Sequence, residues 1–250
     1  MIMMTDVLTV EELYGGYLPG KPVLKNITFS VKKGEMVGLI GLNGAGKSTT
    51  IKHILGLLEP QQGSIRIHGN TLKENRTSYR SSYAYVPESP ELYEELTIQE
   101  HLELTAMAYG LNRKELEERA EILLNEFHMK EKTGSFSTQL SKGMKQKVMI
   151  MNAFLVRPSL YVIDEPFLGL DPLAMRSLLD LMSKYKENGA SFLLSSHILS
   201  TIEKYCDRFI VLDQGEIVAQ GTLEDLRGKT GMPAASLDEL FYYMVKGGVR

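Results

Sequence analysis

Nine residues, Gly41-Leu42-Asn43-Gly44-Ala45-Gly46-Lys47-Ser48-Thr49, carry the sharpest chemical signal in this 250-residue chain. They fit G-x-x-x-x-G-K-S/T, a pattern that holds phosphate. The glycines let the backbone wrap closely round an anion. The N–H groups of the loop, through Asn43, Gly44, Ala45 and Gly46, join the N-terminus of the following helix in favouring its negative charge. Lys47 is placed to reach the β and γ phosphates and Ser48 to ligate Mg²⁺, with Thr49 counted in the same phosphate-binding set. The competing reading is a Gly-rich turn before an ordinary helix. The complete motif, set between a buried strand and a helix, argues against it.

Leu160-Tyr161-Val162-Ile163-Asp164-Glu165 supplies the second half of that chemistry. An apolar strand delivers two acids at its C-terminal edge, where ligands bind in open α/β sheets. Asp164 can hold Mg²⁺, through water, and Glu165 can orient and deprotonate an attacking water. Many strands end in an acid, so this run is informative chiefly because a phosphate loop lies about 117 residues upstream.

These groups need a sheet to present them. Residues 36–40 form a short apolar run that suits a strand buried on both faces of a parallel sheet. A helix is expected from 47 to about 57, stopped by Glu59-Pro60 and Gly63. Residues 23–31 alternate apolar and polar, and 64–68 and 82–86 read as further strands. From 97 to 155 the pattern turns helical. Thr97 with Glu100 makes a capping box, and Ile98, Leu102, Ala106 and Tyr109 line one stripe. A second helix opens at Asn112, with Leu116, Ala120, Leu123, Leu124 and Phe127 on one face. A third runs from 141 to about 155. Strand character returns at 160–163, 191–195 and 208–212, with a helix after Pro172. Gln214-Gly215 marks a hairpin into 216–220. The tail places Leu237, Leu240, Phe241, Met244 and Val245 at helical spacing behind a Ser236/Glu239 cap. Alternating strands and helices imply an α/β fold with a mainly parallel sheet covered on both faces.

Composition narrows the function. With 43% hydrophobic and 24% charged residues the chain has the makings of a packed core rather than of disorder. A formal net charge of -3 and the lack of a long basic run disfavour a nucleic-acid partner. Cys206 is the only cysteine, so no internal disulfide or zinc cluster is available. Residues 1–10 lack the basic-then-apolar order of a secretory signal. No apolar run approaches the roughly 18 residues of a membrane span, so membrane association is expected only through a partner.

Between the two phosphate motifs lies Leu140-Ser141-Lys142-Gly143-Met144-Lys145-Gln146-Lys147. It resembles the LSGGQ signature, and the order of the three motifs resembles an ABC-transporter nucleotide-binding domain from about residue 8 to 221. Within that family residues 100–110 and 141–151 are similar to Ecs-type bacterial transporter ATPases. The resemblance implies a P-loop NTPase core of ABC type with an N-terminal antiparallel β-subdomain and an inserted α-helical subdomain. Its parts would be 1–87 (β-subdomain and phosphate loop), 88–157 (inserted helices with the signature), 158–221 (the rest of the ATP-binding core) and 222–250 (a helical tail).

The resemblance also implies roles. Tyr17 matches the aromatic that stacks on adenine, with Tyr14 as a rival. Asp171, in Gly169-Leu170-Asp171, matches a loop that crosses between subunits, although an Asp before Pro172 is also a plain helix cap. His197 matches a histidine that touches the γ-phosphate. Ser141 and Gly143 would meet phosphate from a second subunit. Glu88, where the family carries Gln, would still offer Mg²⁺ an oxygen but cannot donate as an amide does. Lys142 and Met144 also depart from the pattern. Lys142 is as compatible with a solvated helix start as with a phosphate contact. On this reading the chain binds and hydrolyses ATP with Mg²⁺ and works as a head-to-tail homodimer or heterodimer. It would sit at the inner face of the cell membrane, in the cytoplasm, against a separate transmembrane permease subunit, with export favoured. A soluble ABC ATPase acting on nucleic acid or ribosomes, and a small-molecule P-loop kinase, are the competing readings. The short insert and single cassette oppose the first, the signature and His197 the second.

Overall fold

The computed structural model describes residues 6–247. The expectation about the first ten residues therefore falls partly outside the described residues. In chain order the elements begin with β1 (Asp6–Gly15), β2 (Leu24–Lys32), β3 (Met36–Gly41), α1 (Lys47–Ile54), β4 (Gln62–Ile67), α2 (Arg76–Ser81) and β5 (Tyr83–Val86). Three helices follow, α3 (Ile98–Ala108), α4 (Arg113–Glu126) and α5 (Lys142–Val156). The chain returns through β6 (Leu160–Asp164), α6 (Pro172–Glu187), β7 (Ser191–Ser195), α7 (Leu199–Ile202), β8 (Arg208–Asp213), β9 (Glu216–Gly221), α8 (Leu223–Thr230) and α9 (Leu237–Val245).

Two sheets result. An antiparallel sheet runs β2-β1-β4, and a six-stranded sheet runs β5-β6-β7-β3-β8-β9. The larger is parallel except for the β8–β9 hairpin. Its central strands read as unbroken apolar runs because both faces are covered. Val37, Leu39, Leu160, Val162 and Leu193 point into a core shared with the antiparallel sheet and α1. Their neighbours Met36, Ile40, Tyr161, Ile163 and Leu194 point into a second core under the helices. Arg208 on β8 reaches across this layering. Its guanidinium donates to Glu35 Oε1 at 2.5 Å and to the Ser30 carbonyl at 2.8 Å, pinning the two sheets together.

The inserted helices are set by their caps. Thr97 with Glu100 and Asn112 with Glu115 form reciprocal capping boxes. Ile98, Leu102 and Ala106 are buried as their spacing requires, whereas Tyr109 caps the end of α3, is partly exposed and donates its hydroxyl to the Tyr83 carbonyl. Arg119 of α4 donates to the last carbonyls of α5, Leu155 and Val156.

Some elements depart from the sequence expectation. α1 stops at Ile54, short of the expected 57, because Gly56 takes a left-handed conformation (φ 70°). The Gly56 and Leu57 N–H groups then bond back to His53 and Lys52, the Schellman ending. α2 and α7 lie where no helix was expected, and α8 opens the stretch 222–250 expected as a helical tail. They are short, and only Tyr79 is buried in α2 and only Leu226 in α8. The tail helix α9 forms behind Ser236 and Glu239 and buries Leu237, Leu240 and Met244 on the domain itself. No helix among the described residues is long and apolar enough to cross a membrane.

Candidate active site

The phosphate loop links β3 to α1. Gly44 (φ 82°) and Gly46 (φ 113°) hold backbone conformations that side chains avoid. A Cβ at Gly46 would also stand 2.7 Å from Leu24 Cδ2. Gly46 is the N-cap of α1, so no side chain caps that helix, and its first turn holds no acid. The leading N–H groups and the positive end of the helix are thus available to an anion. Lys47 is buried, and its Nζ donates to the Gly41 carbonyl at 2.7 Å and the Leu42 carbonyl at 3.4 Å, curling the ammonium over the loop. The β8–β9 turn braces the loop from behind, where Gly215 N donates to the Ala45 carbonyl. Asn43 and Ser48 are exposed, while Thr49 is buried.

The acids come from β6, two positions away across β7. Asp164 pairs in register with Ser195 of β7, whose hydroxyl donates to Asp164 Oδ1. Burial pushes the Asp164 carboxyl above the usual carboxylate range. The Ser195 hydrogen bond opposes that shift, the charges of Glu165 and Glu88 add to it, and the Ser48 hydroxyl opposes it again. Glu165 sits at φ 46°, unusual for a residue with a side chain, and its N–H donates to the Ser195 carbonyl and hydroxyl, both at 3.1 Å. The turn aims its carboxylate at His197, which donates to Glu165 Oε2 from its backbone N at 3.0 Å and from Nδ1 at 2.6 Å. Glu165 and His197 therefore act as one hydrogen-bonded unit beside Asp164.

Glu88 follows β5 on an exposed loop, close enough to raise the Asp164 carboxyl. Ser48, Asp164 and Glu88 present hard oxygen donors, and a buried carboxylate held against two more favours a divalent cation. Among the described residues no group of three His, Cys, Asp or Glu side chains could chelate a metal alone. The donor set fits a Mg²⁺ that shares its coordination with phosphate oxygens, the usual habit of that ion.

The structure does not gather every expected residue at one point. Ser141 caps α5, accepting from Met144 N at 3.3 Å. Gly143 lies against the chain before α6, where a Cβ would stand 2.4 Å from the Gly169 carbonyl oxygen. Asp171 caps α6 through Ala174 N at 2.8 Å and pairs with Lys147 Nζ at 2.8 Å. The Lys147 hydrogen bond, then the cap, hold its carboxyl below the usual range. Gln146 donates to the Pro87 carbonyl, so α5 touches both the Glu88 loop and the Asp171 turn. Tyr17 is exposed beside α1, accepting from Lys52 Nζ at 3.3 Å with that ammonium 5.1 Å from its ring centre. Its phenol is made more acidic by a Thr49 hydrogen bond and, against some desolvation, by Lys52. Tyr14 instead sits in β1, paired with Gln62.

Sequence reasoning missed Ser195, Lys147 and Lys52 as partners. Ser195 was nearest to being found, since it closes a strand two residues before His197. The four remaining histidines, at 53, 68, 101 and 128, stand outside the acid cluster. His53 and His101 are packed inside, and His68 and His128 are exposed.

A phosphate loop, an Asp-Glu strand end and a histidine on the Glu define a nucleotide-hydrolysing P-loop ATPase of the cassette type. Residues 24–168 match the family model described as ABC transporter. The chain is 56% identical over 241 residues to the ABC-type transporter ATP-binding protein EcsA of Bacillus subtilis (strain 168), spanning 96% of this chain and 97% of that protein. It superposes with a TM-score of 0.93 on a solved ATP-binding subunit of an ABC transporter, at 56% identity over 95% of this chain and 99% of that one. A dimeric cassette, MJ0796, solved in a post-hydrolysis state with ADP and Pi, superposes with a TM-score of 0.78 at 25% identity over 86% of this chain and 98% of that one. The chain belongs to the ABC transporter family and is one of its ATP-binding ATPase subunits.

Proposed function

We propose that the chain powers an export-type ABC transporter by closing on ATP as a pair of nucleotide-binding subunits. The observation that carries the reading is the Glu165–His197 unit set beside Asp164, across β7 from the uncapped start of α1. Tyr17 stacks on the adenine. The loop from Gly41 to Gly46 and the α1 N-terminus wrap the phosphates, with Lys47 moving from its loop carbonyls onto the β and γ oxygens. Ser48, Asp164 and Glu88 would hold Mg²⁺, which supplies charge neutralisation on the phosphates when bound.

Glu165 takes a proton from water as it attacks the γ-phosphorus. The P–O bond to ADP then breaks and phosphate leaves. His197 orients that carboxylate and reaches the γ-phosphate. Ser141 caps α5 and Gly143 packs at Gly169, before α6; the resemblance of this stretch to the family signature supports their serving the nucleotide of a second subunit. Asp171 stands beside them for the same crossing. The likeness to a dimeric cassette that holds ADP and Pi supports the pairing, whether with a like or an unlike subunit. The Ecs-type resemblance of residues 100–110 and 141–151 and the Gln-to-Glu change at 88 are what lean the reading toward an export-type machine. A separate transmembrane permease would hold the chain at the inner membrane face, through the inserted helices and the Glu88 loop.

Glu165→Gln tests the core of this. The variant is expected to bind Mg·ATP as the parent does, to lose roughly 100- to 10,000-fold in turnover, and to elute as a dimer in ATP. Steady-state phosphate release near the parental rate would refute the assignment.

A further inference from the structure

His197 is the start of a strap. Two residues beyond His197 the chain enters α7, and the strap ends at Asp207, whose carboxylate accepts from Met36 N at 2.8 Å and Lys186 Nζ at 2.5 Å. Both ends are therefore fixed, one to Glu165 and one to β3 and α6. The middle has its own anchor, the tail helix. Glu203, the C-cap of α7, accepts from the backbone N of Leu237 at 2.7 Å, the first residue of α9. That N–H is one of the donors a helix start leaves unpaired, and the carboxylate also meets the positive end of α9. Leu199 and Ile202 of α7 are buried in the same core as Leu237, Leu240 and Met244 of α9.

We infer that α9 braces α7 through Glu203 and so holds His197 on Glu165, making Glu203 a positioning residue for hydrolysis. This rests on the reading of Glu165 and His197 as the hydrolytic unit. Without the central anchor the four-residue helix can tilt between its two fixed ends. The end that yields is His197, which is half exposed and is joined to α7 by Ile198 alone. The bonds that fix the strap run to Glu165, β3, α6 and α9, so loosening it is expected to disturb the hydrolytic geometry far more than the grip of the loop and α1 on nucleotide. A displacement of this kind, well under a helical turn, is enough to slow a positioned reaction.

The test uses the full-length chain, with a fluorescent ATP analogue for affinity and phosphate release for rate. Glu203→Ala is expected to lower kcat roughly tenfold with the analogue's Kd within about twofold of the parent. Glu203→Gln keeps an acceptor oxygen and is expected to restore most of the rate. Met244→Ala loosens α9 from its other end and is expected to lower kcat in the same way, which keeps the test open if the first variant folds poorly. Hydrogen exchange across residues 196–203 is expected to quicken in both loosened variants. In single-turnover measurements on His197→Ala, adding Glu203→Ala is expected to cause no further loss, because the two act through one group. Parental kcat in Glu203→Ala and Met244→Ala, or an equal fall with and without His197, overturns the inference. If His197→Ala and Glu165→Gln themselves turned over at the parental rate, the hydrolytic reading would fail first, and the two failures are thereby distinguished.

Discussion

Replacing Gly143 with alanine adds one carbon where there is no room for it. The new Cβ would lie 2.4 Å from the Gly169 carbonyl oxygen, whereas real Cβ contacts essentially never fall under 3.0 Å, so the gap must widen by at least 0.6 Å (3.0 − 2.4). Neither side is a pliable side chain. The first turn of α5 or the turn before Asp171 has to move, and the Lys147–Asp171 pair ties the two together one turn further on. A misplacement of about 1 Å costs on the order of 100-fold in a positioned reaction. Scaled to this shift, the loss is roughly tenfold to twentyfold in kcat. The phosphate loop of the same chain is untouched, so affinity for a fluorescent ATP analogue is expected to stay within about twofold. Overpacking of this sort costs about 1 kcal/mol, which lowers Tm by about 2–4 °C in a chain of this size. Phosphate release, equilibrium titration and a thermal melt on one preparation separate the three quantities. Unchanged kcat, or affinity falling in step with rate, would refute the claim that this turn serves hydrolysis rather than local binding.

Three further outcomes are expected. Burial and the charges of Glu165 and Glu88 raise the Asp164 carboxyl in the folded chain. Its contribution to stability is thus present below the unfolded value of about 3.9 and lost as pH rises through the folded one. Asp164→Asn should therefore melt above the nucleotide-free parent at neutral pH, with the gap closing as pH approaches about 4 in thermal melts. Arg208→Ala strands the largely buried Glu35 carboxylate and should cost about 2–3 kcal/mol in urea unfolding, below the figure for fully buried pairs because part of Arg208 is solvated. Tyr17→Ala should weaken binding of the ATP analogue roughly tenfold through lost stacking, and Tyr14→Ala should leave it within about twofold of the parent. The reverse order would make Tyr14 the platform.

What could be read from sequence was what is local. The phosphate loop announces itself because its glycines, lysine and serine act through backbone and side chains within nine residues. The starts of α3 and α9 were legible because a cap of that kind is written in four consecutive residues, and the start of α4 because Asn112 precedes an apolar face. The end of α1 was misplaced because Glu59-Pro60 is a louder stop than Gly56, yet the left-handed glycine comes first in the chain. α2 and α7 escaped because neither is long enough to show a helical period. The Asp164–Ser195 and Lys147–Asp171 contacts depend on which strands pair and how α5 meets α6. Those are outcomes of packing, and no spacing in the chain encodes them. Ser141 and Gly143 were legible as a motif, but only coordinates show Gly143 resting on the Gly169 carbonyl.

The order β6-β7-β3 has a metric consequence. Hydrogen-bonded strands stand about 4.8 Å apart, so the strand tip bearing the acids and the one opening into the glycine loop are separated by about 9.5 Å. That two-rung interval is the width in which a phosphate and its ligating oxygens fit between opposing walls. Were β6 the immediate neighbour of β3, the slot would shrink to a single rung, and backbone alone would fill it. The strand between them, β7, is therefore a spacer that fixes the bore of the site, and it ends in the serine that grips one wall, two residues before the histidine that grips it too.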